Sequence, residues 1–212
     1  MSRGLFVSFE GGDGAGKSTQ VKKLAEFLEE NGHSVVMTRE PGGAEGAEAI
    51  RDLLVNGPTE KWDAITEALL MYAARTDHIR QTIAPALAKG KIVISDRFSD
   101  STMAYQGYAG ALGVKRVAQL NSVILGEFKP NFTVILDVTE DVGLARARNR
   151  STDESRFENK GDAYQAHVRD AFLKIAESNA DRCLVIDASK SIDEIANEIS
   201  LEVLNRLGAC NL

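Results

Sequence analysis

The chain has 212 residues, 43% of them hydrophobic and 26% charged, with a formal net charge of −6. That length allows a sizeable core in one domain with a small appendage, and the acidic balance argues against a general nucleic-acid or membrane-surface binder. No apolar run approaches the ~18 residues of a transmembrane helix, no secretory leader precedes the first strand, and Cys183 and Cys210 form no close metal or redox motif, so a cytoplasmic location is expected.

Leu5-Phe6-Val7-Ser8-Phe9 is an apolar run of strand length. It leads into Gly11-Gly12-Asp13-Gly14-Ala15-Gly16-Lys17-Ser18, which fits G-x-x-x-x-G-K-[ST], the phosphate-binding P-loop. Val21, Leu24, Ala25 and Leu28 follow at i, i+3, i+4, i+7, one face of a helix. Glycines let such a loop curl with its N–H groups inward, and the helix start adds unpaired donors and a positive dipole end. Lys17 can then reach the β- and γ-phosphates of a nucleotide, and the Ser18 hydroxyl can ligate Mg²⁺. A glycine-rich turn with a chance Lys-Ser is the alternative, and both flanks speak against it.

Asn31-Gly32 stops that helix, Ser34 to Met37 reads as a second strand, and Arg39-Glu40-Pro41-Gly42-Gly43 as a loop. Ala47, Ile50, Leu53 and Leu54 mark a helix ending near Asn56-Gly57-Pro58. A longer helix is predicted from Trp62 to Thr76, and another from Ile79 to Ala88 with a kink at Pro85. Three further apolar runs, 91–96, 132–137 and 183–187, each end in an aspartate, and Ile192 to Leu207 is a closing amphipathic helix. Alternating strands and helices predict an α/β fold with a parallel sheet covered on both faces. Ligands bind such sheets outside the C-terminal strand ends, where the P-loop, Asp96 and Asp137 all fall. His33, His78 and His167 have no metal or triad spacing and read as surface or helix residues, Cys183 as a core residue of a strand and Cys210 as tail.

Asp96-Arg97-Phe98 follows an apolar strand. The Asp can hold Mg²⁺ or its water shell, and the Arg suggests a second anion beside the first, hence phosphoryl transfer to an already phosphorylated acceptor. A strand-end salt bridge is the alternative.

Phe9 to Gln20, Thr38-Arg39-Glu40-Pro41-Gly42-Gly43, Asp96-Arg97-Phe98 and Ser101-Thr102-Met103-Ala104-Tyr105-Gln106-Gly107 together resemble thymidylate kinase, in order and spacing, over essentially the whole chain. The resemblance implies a P-loop kinase fold with a small mobile lid, transfer of the ATP γ-phosphoryl group to dTMP, Mg²⁺, a cytoplasmic homodimer formed through helices, and no nucleic-acid or membrane partner. It places ATP on Gly11, Gly12, Asp13, Gly14, Ala15, Gly16, Lys17, Ser18 and Thr19, the metal on Ser18 and Asp96, and the dTMP phosphate on Arg97. Asp13 then lies near the acceptor, orienting a neighbouring Arg or the 3′-hydroxyl, or is an ordinary turn aspartate. Arg39, Glu40 and Arg51 match acceptor-site positions, with Arg51 equally readable as a solvated helix charge. Arg75 matches the residue bonding the base carbonyl, Thr102 and Gln106 the groups reading the base edge, and Tyr105 the aromatic crowding the sugar 2′ position. Where the family stacks a Phe on the base this chain has Met71, with Tyr72 beside it; either can pack there, or both can be core.

A polar, basic segment of about 146–161 reads as the lid over ATP, or as a solvated helix end. Gly14 stands where some family members carry a P-loop Arg, so a lid Arg should serve at the transition state. Arg156 in Ser155-Arg156-Phe157-Glu158 best matches that position, and Arg146 or Arg150 flanks the adenine. The rival readings are a kinase for another pyrimidine nucleotide or a deoxynucleoside, and a P-loop regulator without turnover.

Overall fold

The computed structural model describes residues 4–139, 142–143, 156–157 and 160–209. Five parallel strands, β1 (Phe6–Glu10), β2 (Val35–Arg39), β3 (Ile92–Asp96), β4 (Phe132–Asp137) and β5 (Cys183–Asp187), pair in the order β2-β3-β1-β4-β5. The helices are α1 (Lys17–Glu30), α2 (Glu45–Val55), α3 (Ala64–His78), α4 (Ala84–Ala88), α5 (Ser99–Thr102), α6 (Val114–Leu125), α7 (Asp162–Ser178) and α8 (Ile192–Ala209). The last three strand predictions stand within a residue.

β1 lies at the centre of the sheet and is buried along its whole length. Its pleat sorts the side chains. Leu5, Val7 and Phe9 pack with α1 and with Ile195, Ile199 and Val203 of α8. Phe6 packs on the other face with Ile83, Val93 and Phe98. Ser8 shares that face; its Oγ lies 2.9 Å from Thr133 Oγ1, so the one polar pair in the strand centre is satisfied. Glu10, two residues on, therefore emerges at the strand's C-terminal end on the same face and points toward α5.

The Trp62–Thr76 prediction is displaced by two residues because Asp63 is the N-cap, accepting from Thr66 N at 2.7 Å. The segment after it is continuous with α3 and contains a π-helical turn, Ile79–Ile83, just ahead of Pro85, whose missing N–H interrupts the i to i−4 ladder there. A second π-helical turn, Met103–Tyr108, extends α5. Such turns re-aim side chains and recur at functional sites; this one carries Tyr105 and Gln106.

Candidate active site

A cleft of about 300 Å³ opens at the C-terminal edge of the sheet, between the P-loop, the β2–α2 loop, α3 and the β3–α5 segment. Asp13, Gly14, Gly16, Lys17 and Ser18 line one side, and Arg39, Glu40, Arg51, Met71, Arg75, Arg97, Thr102, Tyr105 and Gln106 the other. Gly11, Gly12, Ala15 and Thr19 are not among its lining residues.

The loop's shape depends on glycine, as Gly14 and Gly16 show. Gly14 has φ +78, and a Cβ there would collide with the Gly143 carbonyl oxygen. Gly16, at φ 92, is the N-cap of α1, and no side chain caps that helix, so its first N–H groups face the cleft mouth. The Lys17 ammonium is folded onto the loop, donating to the Gly12 and Gly11 carbonyls at 2.7 and 3.2 Å. Burial, with Arg97 adding to it, pulls its pKa down to about 8, against the pull of Asp96, Asp13 and Glu10. Ser18 Oγ donates to Asp96 at 2.6 Å. A hydroxyl and a carboxylate are hard oxygen donors, and Mg²⁺ takes one or two protein oxygens alongside waters and phosphates, so this pair fits that ion.

Arg97 has φ 72, the left-handed region that disfavours a side chain. The turn is nonetheless fixed: Arg97 N donates to the Phe9 carbonyl at 2.8 Å, Ser95 Oγ donates to the Arg97 carbonyl at 2.7 Å, and Phe98 N donates to Glu10 at 2.8 Å. The guanidinium donates to Asp13 (2.6 Å), Gly11 O (3.0 Å), Ser101 Oγ (3.0 Å) and Tyr105 Oη (3.1 Å). All four Nη–H groups are thus committed, and an incoming phosphate gains a charge-assisted bond by replacing a neutral partner. Burial alone would raise the Asp13 carboxyl; Arg97 and Lys17 overcome it and hold the group below 3.8. Asp13 therefore orients Arg97.

Arg75 is sandwiched between the Tyr72 and Phe98 rings, its guanidinium carbon 5.2 Å from each centroid. Nε donates to Glu40 at 2.7 Å, and Nη2 to Thr102 Oγ1 at 3.0 Å and Phe98 O at 3.1 Å. Its Nη1 is buried without a partner, and so is the Oε1 of Gln106. One orphan is a donor and the other an acceptor, and both residues line the cleft. A flat ring with adjacent carbonyl and N–H groups satisfies both.

The family model described as thymidylate kinase matches residues 9–199. The chain belongs to the thymidylate kinase family. A thymidylate kinase of Caulobacter vibrioides is 51% identical over 208 residues, 98% of this chain and 100% of that protein. One from Ruegeria pomeroyi is 46% identical over 204 residues, 96% of each chain. The crystal structure of thymidylate kinase from Ehrlichia chaffeensis matches with a TM-score of 0.77 at 36% identity, over 95% of this chain and 99% of that one. The fold is accordingly the P-loop kinase fold, and the chain is a phosphotransferase.

Two assignments made from the sequence are corrected by this geometry. Arg156 does not face the P-loop. Its side chain is fully buried, donating to the carbonyls of Leu54, Pro58 and Thr59 and pairing with Glu67 at 2.7 Å. A guanidinium so engaged clamps the α2–α3 connection instead of meeting a γ-phosphate. Tyr72 does not reach the base position either: one residue turns a helix by about 100°, which puts Met71 in the cleft and Tyr72 against α6, with its hydroxyl 3.2 Å from the Val117 carbonyl. Arg39 is an exposed partner of Glu48 (2.9 Å), and Arg51 donates to the Pro41 carbonyl (2.6 Å). Arg146, Arg150, Cys210 and most of the expected lid lie outside the described residues.

Four participants were missed. Glu10 is fully buried, accepts from Phe98 N and from Ser101 Oγ (2.5 Å), and is pushed up to about 8 by burial and by Asp100. His78, read as a surface or helix residue, is completely buried, with Nδ1 2.9 Å from Glu40 and Nε2 2.6 Å from Thr38 Oγ1. Glu40 is thus occupied by Arg75 and His78 and positions the former. Glu67 and Phe157 complete the set; Phe157 lines the cleft edge-on to Tyr105 at 6.1 Å. The signal for Glu67 and His78 was their spacing with Met71 and Arg75, which puts all four on one face of α3.

Proposed function

We propose that the chain transfers the γ-phosphoryl group of ATP to dTMP, giving dTDP and ADP. The observation that carries it is the pair of orphaned polar atoms, Arg75 Nη1 and Gln106 Oε1, across one cleft from the P-loop lysine. Thymine offers a carbonyl to the first and its N3–H to the second, whereas cytosine presents the reverse pattern. Tyr105 and Thr102 close the sugar and base edges, and Met71 packs on the ring.

A 5′-phosphate oxygen of dTMP attacks the γ-phosphorus of ATP as the bridging oxygen departs with ADP. The protein's part is positioning and charge neutralisation. Asp13 and Tyr105 hold Arg97 for the acceptor phosphate, and Lys17 with the N-terminus of α1 holds the β- and γ-phosphates. Mg²⁺, held through Ser18 and Asp96, would offset the phosphate charge when bound. Residues 1–212 act as one kinase domain in the cytoplasm. A homodimer is supported by apolar side chains exposed on α3 and α6, Ile65, Leu69, Val123 and Ile124.

The test is ADP release with ATP, Mg²⁺ and dTMP, dUMP, dCMP, UMP or thymidine. Preference for dTMP is expected. Preference for thymidine would remove the acceptor phosphate from Arg97, and ATP binding without turnover would favour a regulator.

A further inference from the structure

We infer that Glu67 is a specificity-positioning residue, which locks the Gln106 amide with its carbonyl oxygen toward the cleft. Glu67 is not among the cleft-lining residues; it stands behind Gln106 on α3, buried to 4% exposure. Its Oε1 accepts from Gln106 Nε2 at 2.9 Å and lies 3.4 Å from Lys160 Nζ, while its Oε2 pairs with Arg156 at 2.7 Å. An amide can be turned end for end at almost no steric cost, so shape alone does not decide which end of Gln106 meets the base. A carboxylate between two cations only accepts. The amide end facing it must be the NH₂, and Oε1 is left buried and unpartnered. Turning the amide over would set two acceptors together in a buried place and orphan the NH₂. Recognition of an N3–H therefore originates one residue away from the base.

The lock rests on the dTMP reading of the cleft, and the experiment separates the two. Glu67→Gln keeps shape and hydrogen bonding but can either donate or accept, so it frees Gln106 to turn. Steady-state kcat and KM are measured with dTMP, dUMP and dCMP at saturating ATP. Thymine and uracil share the N3–H, so the dUMP/dTMP ratio of kcat/KM should be unchanged. The dCMP/dTMP ratio should rise about tenfold, the worth of one hydrogen bond, through KM more than kcat. Equal changes for all three acceptors, or no change, would overturn the lock. If loss of the carboxylate beside buried Arg156 prevents folding, the double variant Glu67→Gln, Arg156→Gln reads the same ratios without an unpaired cation. Gln106→Met is the control. An unchanged dCMP/dTMP ratio in Gln106→Met overturns the cleft reading and the lock with it. A raised ratio in Gln106→Met but not in Glu67→Gln overturns the lock alone.

Discussion

Arg97 pairs a left-handed backbone with a side chain held at four points. A lysine at this position has one compact charge and no fork. Arg97→Lys should lower kcat/KM for dTMP by about 10- to 100-fold, the worth of a charge-assisted bond, while leaving the Kd for ATP nearly unaltered; a parallel loss of both, in kinetics and nucleotide titration, would argue against an acceptor role. Arg156→Met leaves Glu67 with Lys160 but empties the clamp on the α2–α3 connection. Breaking a buried pair costs about 3 kcal/mol or more, so its Tm should drop by about 10 °C; a normal Tm with a lost kcat would restore the catalytic reading. Glu10 binds its proton near pH 8 when folded and near 4.5 when unfolded. Between those values the folded chain holds more protons, so this group's contribution to stability falls as pH rises. Lys17, lowered to about 8 from 10.5, acts only above that window and with the opposite sign. Glu10→Gln should therefore gain in Tm relative to the parent between about pH 5.5 and 8.5; a constant difference in thermal melts would refute the assignment. The sequence made Arg97, Arg75 and Gln106 legible because they sit in contiguous motifs. It put Glu67 and His78 on one helix face with Met71 and Arg75, but which way that face points is not set until the helix is docked, and it misassigned Arg156, whose partners lie about 90 to 100 positions away.

At the scale of elements, apolar runs bounded by aspartates located three strands, and the P-loop named its own strand and helix. The π-helical turn at Met103–Tyr108 was not legible, because nothing in Met-Ala-Tyr-Gln-Gly-Tyr distinguishes an i+5 from an i+4 bond; the observed bond from Ala109 N to the Ala104 carbonyl (3.0 Å) settles it. The extra residue per turn changes which side chains look into the cleft, and so fixes Tyr105 and Gln106 together. The P-loop depends on backbone that only glycine takes easily. Gly14→Ala forces a Cβ onto the Gly143 carbonyl at a positive φ, which costs about 1–3 kcal/mol in backbone strain alone. ATP affinity should fall about tenfold or more by nucleotide titration; unaltered affinity would mean that the loop binds phosphate in another shape.

For the whole molecule, the sheet order places the P-loop strand between β3 and β4, so the P-loop and Arg97 sit at the ends of neighbouring strands. Parallel topology followed from the alternation of strands and helices, but which strands are neighbours did not, because hydrophobic runs carry no address for their partners. The α3–α6 face exposes Leu69 at 48% and Val123 at 85%. If this face pairs two copies as proposed, Leu69→Glu with Val123→Glu should lower the sedimentation coefficient to that of a monomer at micromolar concentration, whereas an unshifted boundary would overturn this interface. Arg97 carries one more consequence. Rotamer freedom of about 2 kcal/mol for an arginine side chain has already been surrendered in forming its bonds to Asp13, Gly11, Ser101 and Tyr105. An acceptor phosphate bound as proposed would meet a side chain that is already ordered. Calorimetry should find dTMP association with a small entropic opposition; a large one would mean that the side chain is ordered only on binding.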